Sequence, residues 1–163
     1  MKIKNKKKYI LITGLIIIID QISKFIIKSN FQLYEHLDII DNFFRIFYIK
    51  NSGAVWGLFS NQKDSIIPVI LTILSITALL VVIYIFLKTK PQCKLELVSL
   101  SFISGGAIGN IIDRIMQGYV VDFIEIYIKS YRWPTFNIAD SFISIGILLL
   151  IISIWKAKCQ QFT

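Results

Sequence analysis

The 163-residue chain has little of what most hydrolases are built around. It holds one histidine, two cysteines and three prolines, and charged residues make up only 17% of it. His36 alone cannot complete a zinc site, and no C-x-x-C or H-E-x-x-H pattern supplies further ligands. There is no G-x-S-x-G elbow for a serine nucleophile. Cys93 and Cys159 fall outside the long apolar runs, at a spacing that builds neither a disulfide framework nor a metal site. These absences argue against serine, thiol and zinc chemistry, and no metal or cofactor is expected.

Apolar residues are what the chain has in quantity. They make up 55% of it, with a mean hydropathy of +0.67, beyond the range of ordinary soluble domains. Four runs, at 9–27, 66–87, 95–112 and 138–155, approach the roughly 20 residues needed to cross a hydrocarbon core. The first follows Lys2, Lys4, Lys6, Lys7 and Lys8 as a secretory signal would, but Asp20, Gln21 and Lys24 stand in place of a small-residue cleavage site. The predicted fold is therefore a single-domain, all-α membrane protein, a four-transmembrane-helix bundle over residues 1–163.

Charge sets its orientation. The N-terminal lysines, the linker Lys88, Lys90 and Lys94, and the tail Lys156 and Lys158 hold more than half of the 18 basic residues. Basic clusters of this kind stay inside, so both termini are expected in the cytoplasm and the connections 28–65 and 113–137 outside the cell membrane. The net charge of +8 is juxtamembrane and fits anionic lipid better than nucleic acid, for which no folded basic surface is apparent. The outer stretch around Phe43, Phe44, Ile46, Phe47, Tyr48 and Ile49, and the similar one from Tyr119 to Tyr127, read as short strands resting on the membrane interface, a small extracytoplasmic β element.

This orientation assigns a depth to every carboxylate. Asp113 and Arg114 emerge at the outer end of the third span, Asp122 lies in the outer connection, and Asp140 enters the first turns of the fourth span. Asp20 lies in the outer half of the first span. Carboxylates at such depth cost about 2.5–3.5 kcal/mol each by insertion scales and are functional candidates by default. Lys24, four residues beyond Asp20 on the same helix face, offers it a structural ion pair, its long stem able to rise toward the interface. Asp113 has Arg114 beside it and Asn110 three residues earlier, enough for a hydrogen-bonded scaffold. Gly105, Gly106, Ala107 and Gly109 form a small-residue face that allows a second helix close approach. Asp122 and Asp140 have no basic residue within four positions; Asp140 shares a face with Asn137 and Ser144. If the fold joins these two, one carboxyl keeps a proton while the other is ionised, the state that peptide hydrolysis by an aspartate dyad requires.

These residues resemble the lipoprotein (type II) signal peptidases, aspartic peptidases of bacteria, in blocks along nearly the whole chain. The blocks are D-Q-x-x-K (Asp20, Gln21, Lys24), N-x-G-A (Asn51, Gly53, Ala54), G-G-A-x-G-N-x-x-D-R (Gly105 to Arg114), V-D-F (Val121 to Phe123) and F-N-x-A-D (Phe136, Asn137, Ala139, Asp140). The resemblance implies that Asp122 and Asp140 are catalytic, that Asn51, Asn110, Arg114 and Asn137 bind substrate, and that Asp20, Lys24, Gly53 and Asp113 support the site. It implies cleavage of lipid-modified prolipoproteins before the diacylglyceryl-bearing cysteine, at the outer face of the bacterial cytoplasmic (inner) membrane. It implies inhibition by globomycin-like cyclic peptides in the same cleft. Val55 and Trp56, after the N-x-G-A block, carry no assigned chemistry, and the apolar stretch from Phe43 to Trp56 is expected to act as a cap over the substrate. The competing reading is a small proton-coupled transporter, which also uses buried carboxylates but would distribute them through the whole membrane thickness.

Overall fold

The computed structural model describes residues 6–53 and 66–160, the last four of them by backbone alone. Ala54, Val55 and Trp56, and with them the far end of the expected cap, lie outside the described residues, as does the side chain of Cys159. The elements are α1 (Lys7–Asn30), β1 (His36–Ile40), β2 (Phe44–Asn51), α2 (Ile67–Lys88), α3 (Lys94–Gln117), β3 (Val120–Ile128), β4 (Tyr131–Arg132) and α4 (Ile138–Gln160). Four of them are helices long and apolar enough to cross a membrane.

α3 is the central helix and packs against the other three. Its small residues are the reason. A Cβ added at Gly106 would lie 2.3 Å from the carbonyl oxygen of Ala139 on α4, and one at Gly105 would lie 2.8 Å from Cβ of Ile16 on α1. Ser99 and Ser101 return their hydroxyls to the carbonyls of Leu95 and Leu97, both at 2.7 Å, so they present little more bulk than alanine and leave no polar group unpaired. α2 differs in kind: it is apolar on every side and buries none of its residues, which suits contact with lipid. Lys6, 2% exposed, ties the start of α1 to the end of α2 by donating to the carbonyls of Phe86 at 2.6 Å and Leu87 at 3.0 Å.

α3 ends at Gly118, whose φ of 78° is the left-handed conformation that a glycine cap permits; its N–H closes on the carbonyl of Arg114 at 3.0 Å. The chain turns there directly into β3. The four strands form one antiparallel sheet in the order β1-β2-β3-β4, with β2 and β3 where the aromatic and β-branched stretches predicted strands. One face of the sheet sits on the end of α1, where Ile27 meets Tyr48, Val121 and Phe123.

Two glycines separate close packing from helix propensity. Gly106→Ala should lower the thermal unfolding temperature in detergent, since its new methyl must displace the Ala139 backbone or Ile143 at a cost of about 1–3 kcal/mol. Gly14→Ala, with nothing within 4 Å, should be neutral or gain up to about 1 kcal/mol. Equal effects from the two would contradict the packing account.

Candidate active site

A buried ammonium organises the polar interior. Lys24 is 2% exposed and donates all three of its protons: to Asp20 Oδ2 at 2.8 Å, Asp113 Oδ2 at 3.0 Å and Asn110 Oδ1 at 2.9 Å. Helix geometry brings the partners into range, because Asp20 and Lys24 are one turn apart on α1, and Asn110 and Asp113 one turn apart on α3. The stem therefore does not rise toward the interface as its length would allow; two carboxylates and an amide oxygen already satisfy it inside. Asp113 likewise pairs with Lys24 across the helix interface and not with its neighbour Arg114.

One cation faces two carboxylates, and neutral donors stabilise the surplus negative charge. Gln21 Nε2 donates to the Gly109 carbonyl at 3.1 Å and to Asp20 Oδ2 and Asp113 Oδ1, both at 3.2 Å. The backbone N–H of Ala139 reaches Asp20 Oδ1 at 2.9 Å, and that of Val121 reaches Asp113 Oδ2 at 3.1 Å. Each carboxylate thus accepts from three donors, the condition under which a buried charge is tolerable. The same contacts join α1 to the start of α4 and α3 to the start of β3.

Three asparagines carry this order to the second pair of carboxylates. Because Lys24 occupies Asn110 Oδ1, the amide must turn its NH2 the other way, where it donates to Asp140 Oδ1 at 2.7 Å. Asn137 caps α4: its Oδ1 accepts from the Asp140 N–H at 2.9 Å, and Asp140 Oδ2 accepts from the Asn137 N–H at 3.2 Å. This reciprocal cap leaves Asn137 Nδ2 to donate to Asp122 Oδ1 at 2.7 Å. Asn51 Nδ2 donates to Asp122 Oδ2 at 2.8 Å, its own oxygen held by the N–H of Gly53 at 2.9 Å. Gly53 sits at φ 97°, a conformation that glycine adopts without strain.

Asp122 and Asp140 are therefore neighbours through one residue, Asn137. Asp122 is 1% exposed, whereas Asp140 is half-buried. Burial, and next the charge of Asp140, push the Asp122 carboxyl up to about 7, against the opposing donations of Asn51 and Asn137 and the charge of Lys24. Half-buried Arg114 makes no ion pair among the described residues; its Nη1 meets Ser75 Oγ on α2 at 3.5 Å.

The comparisons with known proteins identify the family and the fold. The family model described as signal peptidase (SPase) II matches residues 12–156. The chain belongs to the signal peptidase II family. A lipoprotein signal peptidase of Syntrophus aciditrophicus is 36% identical over 94% of this chain and 95% of its own length. One from Francisella tularensis subsp. mediasiatica is 38% identical over 91% and 92%. In structure, the chain is similar to a bacterial membrane enzyme determined in meso at 2.3 Å resolution, with a TM-score of 0.81 and 36% identity over 93% of this chain and 90% of that one. The bundle topped by a small antiparallel sheet is the fold the two share.

Within this signal peptidase II chain, all ten residues singled out from the sequence lie in or beside the polar network: Asp20, Lys24, Asn51, Gly53, Asn110, Asp113, Asp122, Asn137 and Asp140 are joined by the bonds above, and Arg114 adjoins Asp113. Gln21, part of the D-Q-x-x-K block but without an expected role, bridges α1 and α3. The readable signal was the set Asp20, Gln21 and Lys24, three polar residues within one turn of an otherwise apolar helix. The backbone donors of Val121 and Ala139, and Ser75 behind Arg114, carry no sequence signal of this kind.

Lys24→Met leaves two buried carboxylates without their cation and should cost about 3–5 kcal/mol, read as a large fall in unfolding temperature. Asp20→Asn in that background should recover part of the loss; no recovery would show that charge is not the cause. A separate test is pH. Between 3.8 and about 7 the folded chain holds a proton on Asp122 that the unfolded chain has released, so stability falls as pH rises through that window. Asp122→Asn should match wild type near about pH 4 and exceed it in unfolding temperature at about pH 8. A difference that does not grow with pH would contradict the raised proton affinity of Asp122.

Proposed function

We propose that this chain removes the signal peptides of prolipoproteins by aspartate-dyad hydrolysis, with Asp122 and Asp140 as the catalytic pair. The observation that carries the reading is the shared contact with Asn137, which holds two carboxyls together and sets donors on both. Asp122, the more enclosed, keeps its proton to about pH 7 and donates to the carbonyl oxygen of the scissile peptide. Asp140, the less enclosed, takes a proton from the attacking water. The tetrahedral intermediate then collapses: Asp140 passes the proton taken from water to the amide nitrogen, the peptide bond breaks, and Asp122 recovers its proton from the hydroxyl that becomes the new carbonyl.

The substrate is a prolipoprotein whose cysteine bears a diacylglyceryl group, cut immediately before that cysteine. Asn51, Asn110, Arg114 and Asn137 line the cleft. Among the described residues, the hydrogen bonding of Arg114 is a long contact to Ser75, which leaves guanidinium donors for a substrate carbonyl. Asp20, Lys24, Gln21, Gly53 and Asp113 support these groups. The protein sits in the bacterial inner membrane with both termini in the cytoplasm, so the dyad lies near the outer face, where a signal-peptide helix and two acyl chains can enter from the lipid. Globomycin-like cyclic peptides compete for the same cleft. A transporter accounts less well for the geometry, because the hydrogen-bonded carboxylates of the helices gather in one half of the bundle: the second half of α1, the last turns of α3 and the first turn of α4.

The test is a gel-shift assay of purified protein on diacylglyceryl-modified prolipoprotein, with and without chelator. Asp122→Asn and Asp140→Asn should each reduce cleavage by about 10²–10⁴-fold or more, and chelator should have no effect. Cleavage that survives either substitution removes that residue from the mechanism.

A further inference from the structure

One buried ion pair takes no part in the proposed chemistry. Arg45 and Glu125 stand directly opposite each other on β2 and β3, 8% and 4% exposed, and Arg45 Nε donates to Glu125 Oε2. The guanidinium carbon lies 5.0 Å from the ring centre of Phe47 and 5.2 Å from that of Tyr127. On its other side Arg45 is the cross-strand partner of Asp38 on β1, whose Oδ1 accepts from the Tyr127 hydroxyl at 3.0 Å. The cation is thus bracketed by three strands and two rings. Moving it along the sheet would leave Glu125 buried without its partner.

The site depends on the register that this pair controls. Phe44 to Ile46 pair with Ile126 to Ile124, and Ile49 to Asn51 pair with Asp122 to Val120. Between the two pieces β2 takes three steps where β3 takes two, so β2 carries a bulge. A bulge that moves along its strand shifts the register on one side of it, and a one-residue slip turns every side chain there to the opposite face. Asn51, at the far end of β2, would then turn away from Asp122. Glu125 is three residues beyond Asp122 on a regular strand, so the ion pair works from the other face of the sheet.

We propose that Arg45 and Glu125 are positioning residues whose pair fixes the register of β2 on β3 and so holds Asn51 against Asp122. The consequence for activity rests on the reading of Asp122 as catalytic; the register itself does not. Register is tested first, without substrate. In a chain carrying Cys93→Ser and Cys159→Ser, Lys50→Cys and Val121→Cys occupy opposed positions on β2 and β3 and should form a disulfide on mild oxidation. Adding Arg45→Met should lower the cross-link yield several-fold, Arg45→Lys should lower it less, and the reversed pair Arg45→Glu with Glu125→Arg should restore it. An unchanged yield in Arg45→Met overturns the proposal.

The second arm reads cleavage. Arg45→Met alone should reduce kcat by about tenfold, and in an Asn51→Ala background it should add nothing, because its effect passes through Asn51. An equal loss in both backgrounds would reveal general destabilisation and overturn the positioning role. Cross-linking in the Lys50→Cys, Val121→Cys chain with Arg45 intact, beside a wild type that does not cleave lipid-modified prolipoprotein, would remove the functional reading and leave the register result standing.

Discussion

A single ammonium group in an apolar interior is the constraint on which the rest of the site depends. Lys24 has three protons and three acceptors, from α1 and α3, and each acceptor continues outward: Asp20 to the start of α4, Asp113 to the start of β3, Asn110 to Asp140. Desolvating a charge is costly enough that such a group tolerates few alternative arrangements. The helices around it are consequently fixed in rotation and depth, which apolar packing alone would define less sharply because lipid and side chain are chemically alike.

That order passes outward by amide orientation. An asparagine side chain is ambiguous until one end is engaged; Lys24 engages Asn110, the α4 cap engages Asn137, and Gly53 engages Asn51. In each case the oxygen is taken by a donor that cannot be exchanged for an acceptor, so the NH2 group must face Asp122 or Asp140. Pre-set donors of this kind need no reorganisation when the charge on the carboxyls they face changes. The cost of the arrangement is met where it is least visible, in the glycines of α3 that let α1 and α4 approach closely enough for the bonds to form.

Much of this was legible in the sequence, and the reason is the bilayer. Hydropathy marks where helices run, and polar residues inside such runs stand out because they are costly there, so Asp20, Lys24, Asn110, Asp113 and Asp140 could be singled out one by one. The strands around Phe44 to Asn51 and Val120 to Ile128 were legible from β-branched and aromatic content. What the sequence conceals is which partner each group takes. Asp113 has an arginine next to it in the chain and pairs instead with a lysine on another helix, and Lys24 turns inward although its length permits the opposite. Those choices are made by helix rotation and by backbone donors such as Val121 and Ala139, whose side chains say nothing about them. The bridging role of Gln21 is concealed in the same way, because an uncharged amide beside a charged pair reads as its spectator.

The reciprocal cap at the head of α4 has a consequence for how the protein is made. Asn137 starts the helix and with the same side chain approaches Asp122 on β3. While the last helix is still being threaded into the bilayer, Asp140 has no fixed orientation and Asp122 lacks one of its donors. On the proposed reading of Asp122 and Asp140 as the catalytic pair, a peptidase assembled in the same membrane as every other nascent chain is inert until its own topology is complete, because the turn that starts α4 also brings the two carboxyls together.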